Sequence, residues 1–240
     1  MNNIKVEICI NSDTNVKQSV TAAYLGGANT IELCGRMNLD GLTPLPTDIA
    51  SAREAFADRP GLMVMIRPRG GDFCYSRAEV AEMEMGIETA VSLGADGVVF
   101  GAIHNNSLNL KTMRRLTHLA HKHNLTTTCH RAFDAVGNPS EALDTLIDLG
   151  INRLLTSGTA WGSQQSVVDG IPHLTHLIQQ ADNRIEIILG GGIHLDNVLE
   201  ILTQLPTKDR LLTVHTYSGV LRDGMTDKTA VSQLVAFTKP

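Results

Sequence analysis

The stretches VSLGADGVVFGA (91–102) and LIDLGINRLLTSG (146–158) share one pattern. Each carries a helical pattern up to a glycine, Gly94 or Gly150, and soon afterwards begins a short β-rich run. Gly26-Gly27-Ala28 marks the same junction elsewhere. A glycine closing a helix, followed by a short turn, delivers the chain back into a strand. Working outward, eight strand-like runs appear at 5–10, 30–34, 63–68, 97–101, 126–131, 153–157, 186–190 and 211–216. Helical patterns at 19–25, 49–57, 78–93, 110–121, 139–149, 167–180 and 196–204 lie between them. With no linker, low-complexity tract or composition break, the alternation predicts an α/β fold, a single (β/α)8 TIM barrel occupying residues 1–240 as one domain. Eight units in so short a chain disfavour a doubly wound open sheet.

Composition narrows the partners. Apolar residues make up 42% of the chain, enough for a globular core. Aromatics at 4% and a net charge of −5 argue against nucleic acid and against an anionic membrane surface. No stretch reaches the length of a membrane span, and Met1 to Lys5 lead into a strand without a secretory leader pattern. The four cysteines, Cys9, Cys34, Cys74 and Cys129, are widely spaced and form no CxxC. A cytoplasmic, reducing location is the expectation.

Side-chain alternation indicates what the barrel encloses, because the outer face of each strand must be apolar to pack on helices. Val6, Ile8 and Ile10 take the outer parity of the first strand, which turns Glu7 and Cys9 inward. Ile31 and Leu33 do the same for the second strand and direct Glu32 and Cys34 inward. Val64 and Ile66 send Met65, Arg67 and Arg69 inward; Leu212 and Val214 send Thr213 and His215 inward. The fifth strand lacks a clear pattern, and Thr128 and His130 are assigned inward with Cys129 against the helices. The enclosed set is thus rich in charge and sulfur near the strand ends where barrel sites form. The alternative for these charges is a structural ion-pair network.

The same residues carry a family resemblance. VEICI (6–10), IELC (31–34), GLTP (41–44), MIRPRGGDFCYS (65–76), GADGVVFGA (94–102), HRAFD (130–134), LTSG (155–158) and GGGI (190–193) resemble the copper homeostasis protein CutC family along essentially the whole chain. The pair IRPRGGDF and HRAFD is highly specific. The resemblance implies a cytoplasmic TIM barrel, commonly a homo-oligomer, named for a role in copper tolerance. Asp40 departs from the family's GGLTP, and the last strand reads VHTYSG with its histidine kept.

Two chemistries suit the mouth. In the first, the inward thiols of Cys9 and Cys34 hold Cu(I), a soft ion that favours thiolates, with His130 or His215 as a further ligand. In the second, the mouth is an enzyme site for a small phosphorylated or carboxylated molecule. Arg67 and Arg69, flanking Pro68, then clamp the anion; in the structural alternative Asp72 holds the arginines in place. His130 serves as general acid or base, and Glu7 or Glu32 orients it or acts as base. Ser157 and Gly158 after strand six, Gly191 and Gly192 after strand seven, and Ser218 and Gly219 after strand eight lie where barrels bind phosphate through backbone N–H groups. The expected partner is a copper ion or a small anion.

Overall fold

The computed structural model describes residues 4–239. Eight parallel strands close into a barrel. They are β1 (Lys5–Asn11), β2 (Thr30–Cys34), β3 (Leu62–Met65), β4 (Gly97–Phe100), β5 (Thr126–Cys129), β6 (Arg153–Thr156), β7 (Glu186–Leu189) and β8 (Leu212–Thr216). Each pairs with its neighbours in sequence, and β1 pairs with β8 to shut the ring. The helices α1 (Val16–Gly26), α2 (Pro46–Phe56), α3 (Arg77–Ser92), α4 (Leu110–Lys122), α5 (Pro139–Asp148), α6 (Ile171–Ala181), α7 (Val198–Gln204) and α8 (Lys228–Phe237) alternate with the strands.

The glycine junctions behave as their chemistry requires. Gly27, Gly94 and Gly150 hold φ of +92°, +79° and +76°, where a side chain would be strained. Gly27 donates its N–H back to the last turn of α1. α3 opens on a reciprocal cap between Ser76 and Glu79, and α5 and α6 open on prolines. α6 begins four residues later than its sequence pattern, because 167–170 form a turn before Pro172.

Strand parity holds. Val6, Ile8, Ile10, Ile31, Leu33, Val64, Ile66, Cys129, Leu212 and Val214 join the large apolar cluster between strands and helices. Cys9, Cys34, Met63, Met65 and Val99 form a separate cluster inside the barrel. The fifth strand follows its assigned face, with Cys129 outside. Burial there pushes its thiol up to about 12, so it stays protonated.

Cys9 and Cys34 do not sit at equal height, since Cys9 lies opposite Glu32 and Cys34 lies opposite Asn11. The stagger that closes a barrel shifts each strand along its neighbour. Cys34 therefore stands one inward step closer to the mouth.

Among the described residues no helix is long and apolar enough to cross a membrane.

Candidate functional site

The site rests on a polar floor. Glu7 is 1% exposed and Arg153 4%. Arg153 Nη1 donates to Glu7 Oε2 at 2.7 Å, and its Nε lies 3.4 Å from Glu186 Oε2. Thr30 Oγ1 donates to the same Glu7 oxygen at 2.8 Å, and His215 Nδ1 sits 3.1 Å from Glu7 Oε1. Burial alone would raise the Glu7 pKa, but Arg153 and His215 outweigh it and keep the carboxylate ionised. His215 is also buried, yet Glu32, Cys9 and Glu7 around it raise its pKa well above the ordinary value. Glu7 and His215 thus form a charged pair.

Above the floor opens a cavity of about 290 Å³ at the C-terminal mouth. Cys9, Cys34, Glu32, Met37, His130, His215, Arg131, Phe73, Trp161 and Tyr217 are among its walls. The Cys9 and Cys34 sulfurs lie 3.8 Å apart and are unlinked. Met37, on the turn Met37–Leu39 after β2, brings its Sδ to 3.9 Å from Cys9 Sγ. Cys34 Sγ donates toward Glu32 Oε2 at 3.5 Å, and one ligand atom each from Cys9, Glu32 and Cys34 fall within 4.8 Å of one another. The hydrogen bond with Cys34 pulls the Cys9 thiol below its ordinary range against the effect of burial, while Cys34 is pushed up. One thiolate is therefore shared at the pair, facing the His215 imidazolium. Burial pushes Glu32 up to about 8 against the pull of the His215 charge 3.7 Å away.

This donor set fits a soft ion. Thiolate and thioether sulfur select Cu(I), whereas a thioether is not an ordinary ligand of zinc. Two metal–sulfur bonds of about 2.3 Å span up to about 4.6 Å, so sulfurs separated by 3.8 Å can share one ion.

His130 sits across the mouth, 4% exposed, where Gly101 leaves space for its ring: a Cβ at 101 would lie 2.9 Å from it. Its Nδ1 accepts the Ala132 N–H at 3.1 Å, which assigns the ring proton to Nε2. That Nε2 is buried and unpaired. Burial, helped by the Arg67 charge, lowers the His130 pKa to about 3. The general acid–base role expected for His130 does not suit this environment. The ring is a neutral hydrogen-bond donor near pH 7.

Of the two arginines expected to clamp an anion, Arg67 lines the mouth cavity with its Nε buried and unpaired, and Arg69 does not line it. Arg67 is buried, but its Nη1 serves the carbonyls of Leu39, Asp40 and Gly41, and its Nη2 serves Gly71. Its guanidinium lies 4.9 Å from the Phe73 ring, and Phe73 packs 5.0 Å from both His130 and Trp161. Arg67 therefore ties down the loops that build the wall. Arg69 points away from the cavity and pairs with Asp72 at 2.8 Å and Glu79 at 2.5 Å, beside the start of α3. The strand ends at Met65 and the chain bends from Pro68 onward, so alternation no longer governs Arg69.

Arg131 is the mouth arginine that sequence reasoning missed. Its Nε donates to Asp134 Oδ2 at 2.7 Å and its Nη2 to Ser157 Oγ at 2.8 Å, and its guanidinium stacks 5.2 Å from Trp161. Of the loop residues expected to hold an anion, Gly191, Gly192 and Ser218 line a smaller cavity adjoining the mouth. Ser157 is turned to Asp134 and Thr159. Gly158 packs on Gly170, and Gly219 on the Ile193 carbonyl. These last three are used by the loops themselves.

Comparison with known proteins agrees with the motifs. The model of the CutC family matches residues 4–216. A CutC family protein of Bacteroides fragilis is 43% identical over 203 residues, 84% of this chain and 76% of its own length. One from Caulobacter vibrioides is 38% identical over 207 residues, 86% of this chain and 79% of its own. The solved CutC structure from Streptococcus agalactiae superposes with a TM-score of 0.78 at 29% identity, covering 89% of this chain and 99% of its own. A solved barrel described as native KDPGal reaches a TM-score of 0.65 at 12% identity over 99% and 95% of the two chains, a likeness of fold alone. By its motifs, its barrel and these relatives, the chain belongs to the CutC family.

Proposed function

We propose that this protein serves copper homeostasis by holding Cu(I) at the barrel mouth on Cys9 and Cys34, with the Met37 thioether as third donor. The observation that carries the reading is the convergence of three sulfurs, two of them buried, with Cys34 and Met37 each within 3.9 Å of Cys9. The family supports it, since the Streptococcus agalactiae relative is described in terms of copper homeostasis. The shared thiolate supplies a soft negative ligand, and binding a second thiolate releases the proton between the sulfurs. Met37 is half-buried on a turn at the rim, placed to meet an ion as it enters. His215, pinned by Glu7, offsets the thiolate charge from below. The protein works on this reading in the reducing cytoplasm, where both thiols persist, and as a homo-oligomer like others of its family.

The test is anaerobic titration with Cu(I) against a competing chelator. The wild type is expected to take up one tight equivalent. Replacing both cysteines by serine should weaken it by about 100-fold or more, about 2.7 kcal/mol. Unchanged affinity in the double variant would remove the sulfur pair from copper handling.

A further inference from the structure

Copper binding leaves half of the mouth without a task. Beside the sulfur cluster, between the ends of β7 and β8, lies a second cavity of about 160 Å³. Gly191, Gly192 and Ser218 line it, and Arg131, His215, Leu155 and Tyr217 form walls common to it and the main cavity. Gly191 and Gly192 both hold φ of +95°, a backbone course closed to ordinary side chains. Among the described residues the backbone N–H groups of Gly191, Gly192 and Ser218 have no hydrogen-bond partner, nor does the Ser218 hydroxyl. Arg131 spends Nε and Nη2 on Asp134 and Ser157, which fixes its plane and leaves Nη1 without a partner among the described residues. Across the main cavity the His130 Nε2–H is buried and equally unpaired.

These are hard donors and a positive charge, which a Cu⁺ ion cannot use. The buried His130 Nε2–H carries a desolvation cost that a ligand would relieve, while the exposed Gly192 and Ser218 donors and the half-buried Gly191 and Arg131 are open to an incoming ligand. Several N–H and O–H groups around one small cavity, backed by a guanidinium, match the oxygens of a tetrahedral dianion better than a planar carboxylate. Loops after the last two strands of a barrel are also where its geometry presents backbone N–H groups to phosphate.

We infer that this protein binds a small phosphate monoester, its phosphate seated on Arg131 and the Gly191, Gly192 and Ser218 donors. Its hydroxyl or carbonyl oxygen then accepts from His130 Nε2 in the main cavity. The His130 ring stays neutral across the physiological range, so it donates one hydrogen bond and adds no charge. The site stands apart from the sulfur pair and does not depend on the copper reading.

The test is a phosphorus-31 NMR titration of the full chain with glycerol 3-phosphate, and with inorganic phosphate as a second probe. Both should bind saturably, glycerol 3-phosphate more tightly because it alone reaches His130. Ser218→Asp places a carboxylate at an exposed position and leaves the Arg131 contacts intact; it should weaken both probes by about tenfold or more. Arg131→Met should do the same. His130→Phe should erase the advantage of glycerol 3-phosphate and leave inorganic phosphate as in the wild type. The Cys9→Ser, Cys34→Ser double variant should bind both probes normally, which separates this site from copper. Absence of saturable binding at millimolar probe, or wild-type affinity in Ser218→Asp, would overturn the inference.

Discussion

The floor and the mouth of this barrel are both buried and both polar, and they differ in one respect. On the floor every carboxylate meets a cation: Glu7 meets Arg153 and His215, and Glu186 meets Arg153 and Lys5. At the mouth, the one cation Glu32 meets among the described residues is His215, at 3.7 Å, and its Oε1 is buried with no partner, as are His130 Nε2 and Arg67 Nε. The two thiols there face each other across 3.8 Å, whereas the floor leaves only Arg153 Nη2 buried and unpaired among the described residues of the network. Buried charges that satisfy one another build a scaffold; buried donors and acceptors left open are kept for something that arrives. Arginines divide the same way. Arg69 is spent on two carboxylates, whereas at the cavity Arg67 keeps a buried, unpaired Nε beside its four carbonyl bonds and Arg131 keeps Nη1 without a partner among the described residues.

The sharpest way to break this contrast is to unpair the floor. Arg153→Met strands Glu7 and Glu186, and equilibrium urea unfolding should show a loss of about 3–5 kcal/mol. A loss under about 1 kcal/mol would mean the floor is not a structural network.

A medium effect should come from His130. Its pKa is near 6.5 in the unfolded chain and about 3 in the folded one. Between those values the unfolded chain binds a proton that the folded chain refuses, so stability rises with pH across the window. The full contribution is present above about pH 6.5 and is lost as pH falls toward 3. In His130→Phe, stability measured by urea from pH 6.5 to 4.5 should therefore fall less than in the wild type. Parallel curves would place the ring in contact with solvent.

The smallest effect belongs to Arg69. Its ion pairs with Asp72 and Glu79 are partly exposed, so Arg69→Ala should cost about 0–1 kcal/mol. Copper and phosphate-monoester affinity should both stay at the wild-type level. A large loss of either would return Arg69 to the mouth.

Alternation makes the faces of β1, β2, β3 and β8 readable, because their apolar residues hold one parity. It fails where strands stop. Arg67 leaves the ladder to exchange hydrogen bonds with Thr43, and Pro68 then turns the chain, so Arg69 lands outside. Arg131 lies just past β5 on a short 3-10 turn, Trp161 in a loop and Met37 on another turn, and no period reaches them. Arg153 was within a recognised strand, but its partner Glu7 is 146 residues away. Such pairing shows only when the ring closes. The stagger between β1 and β2 was hidden for the same reason, since alternation fixes faces but not heights. α8 went unmarked although it packs on α1 through Val231, whose side chain occupies the space a Cβ at Gly26 would need.

The most direct test of the central claim is copper-edge X-ray absorption on protein loaded anaerobically with one equivalent of Cu(I). The copper should show a first shell of sulfur alone, losing one sulfur in Met37→Leu and collapsing in the Cys9→Ser, Cys34→Ser variant. A shell dominated by nitrogen or oxygen in the wild type, or one unchanged by the cysteine substitutions, would contradict it.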